Sequence, residues 1–354
     1  MPKKTRNKTL TPSLKAEVGL ALGCRLVQGT SGGARGHRRM MRVKDYAWTA
    51  VGLCAVALSL WLLFRDLRNI APSEVAGSFV AIPVHRWLLA LGATFIAYAA
   101  LAWYDRIGLS HLGRKLSWTF ISIVSFTTYA LSHNIGASVF SGAMVRYRAY
   151  STRGLTMAEV GVLVAFCAFT FILGMVLLGG LVLIVAPETV ERWIAMPAWG
   201  ARLIGAAMLG LVALYAFGSL RHFAPMKFGR LEIVYPRPSI LVRQLCAAPL
   251  ELIGAAGIIY FTLPAGGNPG FIAVLGVFLA SFAIALASYA PGGVGVLEYC
   301  FLSSMPDAPK AQVLAALLAF RLLYLIIPLV FAIIAVIIFE RGRLIEAWRH
   351  RAHP

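Results

Sequence analysis

Apolar residues occur in this chain as long runs rather than in alternation, and run length decides what each can form. Six runs reach the roughly 20 residues that a helix needs to cross hydrocarbon. They are Tyr46–Phe64, Trp87–Tyr104, Ala158–Ala186, Ala198–Leu220, Leu245–Leu263 and Ala311–Phe339. Two further runs are interrupted: Ser117–Val145 at SHNIG (Ser132–Gly136), and Phe271–Met305 at APGGVG (Ala290–Gly295). The short period-two segments of a membrane barrel are not seen. The pattern predicts an all-α polytopic membrane protein of about six full spans and two broken elements.

The second break is costly in an apolar setting. Pro291 removes a backbone donor, Gly292, Gly293 and Gly295 disfavour helix, and Glu298 adds a carboxylate. Exposed backbone of this kind is tolerated only where protein or a water-filled cavity satisfies it. APGGVGVLE is therefore the first candidate for a functional site.

Composition agrees with the pattern: of 354 residues, 59% are hydrophobic and 13% charged, with a mean hydropathy of +0.77. The formal charge of +19 does not point to nucleic acid, because the basic residues flank apolar runs, where topology and anionic lipid account for them. Met1–Lys44 carries eleven Lys and Arg against one acid and reads as a flexible cytoplasmic tail, residues 1–44. Met40 and Met41 offer a second start directly before the first run. The five cysteines, Cys24, Cys54, Cys167, Cys246 and Cys300, are scattered and fit neither a disulfide framework nor a zinc spacing. No Walker loop, catalytic triad or metal cluster is visible, so the sequence implies no cofactor and no ATP hydrolysis.

Basic residues in short loops set the orientation. If both broken runs are re-entrant hairpins, eleven Lys and Arg fall on the cytoplasmic side: Arg106, Arg114, Lys115, Arg146, Arg148, Arg153, Arg221, Lys227, Arg230, Arg237 and Arg243. Six then fall outside: Arg65, Arg68, Arg86, Arg192, Arg202 and Lys310. Full crossings would reverse that bias. The hairpin reading places both termini in the cytoplasm, with a short basic tail at residues 341–354. It also divides the chain into a first membrane half (45–197, hairpin 117–145) and a second (198–340, hairpin 271–305). Each half then reads span, span, hairpin, span, with the hairpins entering from opposite sides. That is the inverted-repeat layout of transporters, with substrate held between broken elements.

Two charges inside apolar sequence are the most informative. Arg321 lies about 15 Å of helix into the last run, and Glu298 on the adjacent hairpin is its nearest partner in sequence. Two readings stand: an ion pair that only fixes packing, or an arginine that receives an anionic headgroup tuned by the glutamate. Glu251 has no basic residue within a turn, so it is expected to be protonated or paired across the bundle. His133 and Asn134 read as ordinary turn chemistry. Arg146 and Arg148 fall where the first hairpin returns to the cytoplasmic face, suited to an inner-leaflet phosphate and equally to topological anchoring. Trp87, Trp103, Tyr104 and Trp199 read as interface belts.

Three segments in order, SGAMVRYRAY (Ser141–Tyr150), PGGVGVLE (Pro291–Glu298) and RLLYLIIP (Arg321–Pro328), resemble signatures of the lysylphosphatidylglycerol synthase transmembrane-region family. This is the flippase part of the bacterial multiple peptide resistance factor. The resemblance covers roughly Tyr46–Phe339 and sets Glu298, Arg321 and Arg146 on family motif positions. In full-length members this region moves aminoacylated phosphatidylglycerol between leaflets, while a cytosolic domain attaches the amino acid. This chain ends fifteen residues after Phe339, so the resemblance implies a stand-alone member without the synthase domain. The expected function is an inner-membrane lipid translocator for an anionic, zwitterionic or aminoacylated lipid. The alternative is a membrane subunit or partner of a lipid-modifying enzyme. Membrane lipids are the expected partners, with no nucleic acid, and a homo-oligomer is left open.

Overall fold

A computed structural model describes residues 71–352, except 136–137, 189–195, 222–225, 229–230, 234–235, 267 and 288–292. The first run, Tyr46–Phe64, and the basic segment before it lie outside the described residues, as do Pro291 and Gly292. The described chain is an all-α polytopic membrane protein. In order it forms α1 (Pro72–Val80), α2 (Val84–His111), α3 (Trp118–Ile135), α4 (Ser138–Tyr150), α5 (Met157–Val185) and α6 (Ala198–Leu220). Then come α7 (Pro238–Thr262), α8 (Phe271–Ala287), α9 (Val296–Ser304), α10 (Lys310–Phe320), a π-helical turn (Arg321–Ile326) and α11 (Ile327–Ala352). Among the described residues, five helices are long and apolar enough to cross a membrane: α2, α5, α6, α7 and the continuous Lys310–Phe339. They match five of the six predicted spans.

Helix starts follow from local chemistry. Pro72 and Pro238 occupy first-turn positions where the missing N–H costs nothing. Thr156 caps α5 reciprocally with Glu159, whose carboxylate accepts the Thr156 N–H at 2.8 Å. Two features escape the hydrophobic pattern. One is the nine-residue α1. The other is a short antiparallel ribbon, β1 (Met226–Phe228) and β2 (Leu231–Ile233), in the register Met226↔Ile233 and Phe228↔Leu231. The last helix also continues through the expected basic tail as far as Ala352.

Helix α7 is the centre of the bundle. It packs most extensively on α2, and also on α5, α8 and α10. Small residues permit the closest approach. A Cβ on Gly254 would lie 2.8 Å from the Ala93 carbonyl oxygen and 2.8 Å from the Ala97 nitrogen, so backbone meets backbone there. Gly254→Leu is expected to force α2 and α7 apart and cost more than about 2 kcal/mol by overpacking, read as a lowered midpoint of detergent-induced unfolding. By contrast, Phe95, Ile123, Leu203, Leu211 and Ile338 are exposed, as lipid-facing side chains should be when the solvent is itself apolar.

The two broken runs become helical hairpins, α3–α4 and α8–α9, and each packs reciprocally on the other half. Helix α3 lies on α11 and α8 lies on α5, while α4 packs on α5 and α9 on α10. The first break falls slightly later than the sequence places it. SHNI remains helical to Ile135, because Asn134 donates to the Ala130 carbonyl at 2.7 Å and holds the last turn closed. In the second hairpin Gly293 (φ 64°) and Gly295 (φ 82°) sit in left-handed backbone, which a side chain would strain. They redirect the chain into α9.

Candidate functional site

The site is built around one turn of the last span. Between Arg321 and Ile326 the helix widens to π geometry, a local insertion frequent at functional sites. Its loosened backbone carbonyls are taken up by side chains from the other half. The Tyr98 hydroxyl on α2 donates to the Tyr324 carbonyl at 2.9 Å, and Asn134 at the tip of α3 donates to the Leu325 carbonyl at 3.2 Å. His133 stacks on the Tyr324 ring, 5.3 Å between centroids, and Phe320 stacks on it at 5.1 Å. The first hairpin's tip is thus fastened to the π turn by a hydrogen bond and a ring.

The second hairpin reaches the same turn through its carboxylate. Arg321 donates through Nε to Glu298 Oε1 at 2.7 Å, and its Nη2 lies 2.6 Å from that oxygen. The other oxygen, Oε2, accepts the Gly295 N–H at 2.8 Å. The carboxylate therefore satisfies the first amide after the glycine turn and holds Arg321 at once, which orients both. Both side chains keep partial access, 12% for Glu298 and 16% for Arg321.

Glu251, on α7, approaches from a third side. Its Oε1 accepts the Tyr324 hydroxyl at 2.8 Å, while Oε2 is buried with no partner among the described residues. Of the two readings the sequence leaves for this acid, the ion pair across the bundle is not formed among the described residues. Tyr324 alone therefore touches Glu251, Tyr98, Phe320 and His133. It is the hub of the site.

A second buried pair sits beside the first hairpin. Arg146 on α4 is 4% exposed and Asp105 on α2 is 0% exposed. Arg146 Nη2 donates to Asp105 Oδ1 at 2.8 Å, and Nε lies 3.2 Å from both oxygens. The Tyr150 hydroxyl completes Asp105 at 2.9 Å, and the Tyr129 ring lies under the guanidinium at 4.7 Å. Nearby on α3, the Thr127, Thr128 and Ser132 hydroxyls and His133 Nδ1 are buried without hydrogen-bond partners among the described residues. A polar interior thus extends from the π turn along the first hairpin to Arg146.

A family model described as the lysylphosphatidylglycerol synthase TM region matches residues 52–332. The chain belongs to the lysylphosphatidylglycerol synthase transmembrane-region family. It is 29% identical to the uncharacterized protein slr0712 of Synechocystis over 289 residues, 81% of this chain and 90% of that one. It is 29% identical to the inner membrane protein YbhN of Escherichia coli over 288 residues, covering 79% and 84% of the two chains. It is also similar to the phosphatidylglycerol lysyltransferase of Staphylococcus haemolyticus, 25% identical over 318 residues, 84% of this chain but 34% of the enzyme.

Within this family member the structure gathers Glu298, Arg321 and Glu251 around the π turn, with Gly293 and Gly295 shaping the approach. It places Arg146 differently from the sequence reading. The positive-inside pattern puts Arg146 at the cytoplasmic surface, yet Asp105 draws it inside, because a paired arginine tolerates burial. Tyr104 is likewise no interface residue: it is 1% exposed and donates to the Ala248 carbonyl at 3.2 Å. Asp105, Tyr98 and Tyr324 were missed. Asp105 had a signal, since Ile107, Gly108 and Leu109 continue the apolar run beyond it and are buried.

Proposed function

We propose that this chain is an inner-membrane lipid translocator of inverted-repeat type, with both termini cytoplasmic and no catalytic activity of its own. One observation carries the reading: hairpins from opposite halves bring their polar ends, Asn134 with His133 and Glu298, to the same π turn at Arg321–Ile326. The arm lengths favour re-entrant hairpins. Helix α9 has nine residues and α4 has thirteen, about 14 and 20 Å of helix against roughly 30 Å of hydrocarbon. The reciprocal packing of α3 on α11 and α8 on α5 suits two halves that rock about a shared centre.

In this mechanism the headgroup passes between the hairpins while the acyl chains stay in lipid. Arg321 receives the phosphate, since a guanidinium offers a planar fork to an oxyanion. Glu298 holds that guanidinium in place and competes with the phosphate for it, which keeps binding weak enough for release. Gly293 and Gly295 supply the left-handed turn that leads into α9 and brings Glu298 to Arg321. Membership of a family whose enzyme relative acts on phosphatidylglycerol makes an anionic or aminoacylated phospholipid the first substrate to try.

The test is reconstitution of the purified protein into liposomes carrying fluorescent phospholipids, with leaflet exposure followed by dithionite quenching. Wild-type protein is expected to accelerate exchange over empty liposomes. Absence of acceleration for every phospholipid class tried would falsify the translocator reading. Labelled lysine supplied as charged tRNA is expected to leave the lipid fraction unlabelled; incorporation would support the enzyme reading instead.

A further inference from the structure

A cavity of about 440 Å³ opens at the end of the bundle where α2 begins and α7 ends, roofed by α1. That end is the outer one by the charge distribution. Glu74, Gly77 and Ser78 of α1, Arg86 of α2, Thr262 of α7 and Gln312 of α10 line it. It does not belong to the path between the hairpins. Gln312 precedes Arg321 by nine residues, about 180° around the helix, so the cavity and the Glu298 pair lie on opposite faces of the same span. The Thr262 hydroxyl donates to the Ile258 carbonyl at 2.8 Å and lies 3.5 Å from the Ala316 carbonyl, where α7 meets α10.

Its walls carry both signs of charge. Arg86 gives one amino group to the Leu263 carbonyl and forms no ion pair among the described residues. Glu74 forms no ion pair among the described residues. A lone anion in the cavity would face Glu74, and a lone cation would face Arg86. A molecule bearing both charges satisfies both walls, with Ser78 and Gln312 to meet its neutral oxygens. The size fits: binding pockets for small molecules run from about 300 to 1,000 Å³. The level fits too. No residue of α1 is buried, and Phe79 packs edge-on against Trp87 at 5.2 Å, a tryptophan at a span end where headgroups lie.

We propose that this cavity is a second binding site, separate from the translocation path, for a zwitterion that carries an ammonium and a phosphate. Arg86 takes the phosphate and Glu74 the ammonium. The molecule is either the headgroup of an outer-leaflet lipid or a free soluble zwitterion of the same chemistry.

Gly77 supplies a clean test, since it lines the cavity and a Cβ there meets nothing within 4 Å, so a larger side chain is expected to occupy the cavity without displacing its walls. Calorimetric titration of the full chain in detergent would compare glycerophosphoethanolamine with glycerol 3-phosphate and with ethanolamine. The zwitterion is expected to bind at least tenfold more tightly than either fragment. Gly77→Leu should weaken it at least tenfold with no fall in melting temperature, and Glu74→Gln should bring it down to the level of glycerol 3-phosphate. Equal binding of zwitterion and fragments, unchanged binding in Gly77→Leu, or no binding of glycerophosphoethanolamine overturns the proposal. Dihexanoyl phosphatidylethanolamine binding tenfold more tightly than its deacylated headgroup identifies a lipid, and equal affinities identify a soluble ligand. Arg321→Ala, on the far face of the span, is expected to keep this binding while lipid exchange is lost, so the two readings stand or fall separately.

Discussion

Asp105→Leu is expected to destabilise the fold by about 3–5 kcal/mol, because it strands the Arg146 guanidinium in a site with almost no access to water. Asp105 is fully buried and receives Arg146, the Tyr150 hydroxyl and the Cys167 thiol, the last at 3.4 Å. The loss comes from the uncompensated charge and from orphaned donors, not from the pair's net attraction. It follows that Asp105→Leu/Arg146→Met should recover most of the stability, although each single change removes the same contact. Unfolding in mixed micelles followed by circular dichroism measures all three. A double variant as unstable as Asp105→Leu would show that the pair itself, rather than the stranded charge, sets the cost.

Arg321→Ala is expected to abolish most lipid exchange in liposomes, and Glu298→Gln to slow it by about ten- to a hundredfold. The second figure follows from hydrogen bonds to charged groups worth about 1.5–3 kcal/mol, with each 1.4 kcal/mol a factor of ten in rate. The two variants should not add, since Glu298 acts by positioning Arg321 at 2.7 Å. The double variant is expected to match Arg321→Ala alone. Multiplicative losses in the exchange assay would contradict that coupling, and a folded Arg321→Ala with wild-type exchange would remove Arg321 from the path.

What the sequence reveals here depends on whether a residue violates its surroundings. Glu298 and Arg321 are charges within apolar runs, so each stands out alone and their nearness in sequence suggests the pair that forms. Gly293 and Gly295 stand out because they interrupt a helix. Tyr324 does not, because a tyrosine among leucines breaks no rule, and its role as hub exists only once α2, α3 and α7 surround it. The π turn is invisible for a related reason: it is a backbone geometry with no residue signature of its own. Arg146 was legible as a positive charge near a span end. Its burial depends on Asp105, forty-one positions away, and such distant pairing leaves no local pattern. Helix α1 and the β1–β2 ribbon are too short to announce themselves by periodicity.

The π turn also has a consequence for rotation. One residue inserted into an α-helix shifts everything beyond it by about 100° in azimuth. The last span is therefore two helices on one axis, out of phase with each other. The part before the turn is indexed to α1, α7 and α9, and the part after it to α3. Different neighbours thus set the angular positions of the two segments, and the mismatch collects in Arg321–Ile326. A slip of that mismatch by one residue swings a side chain at the centre through a large angle while both ends of the span keep their bearings.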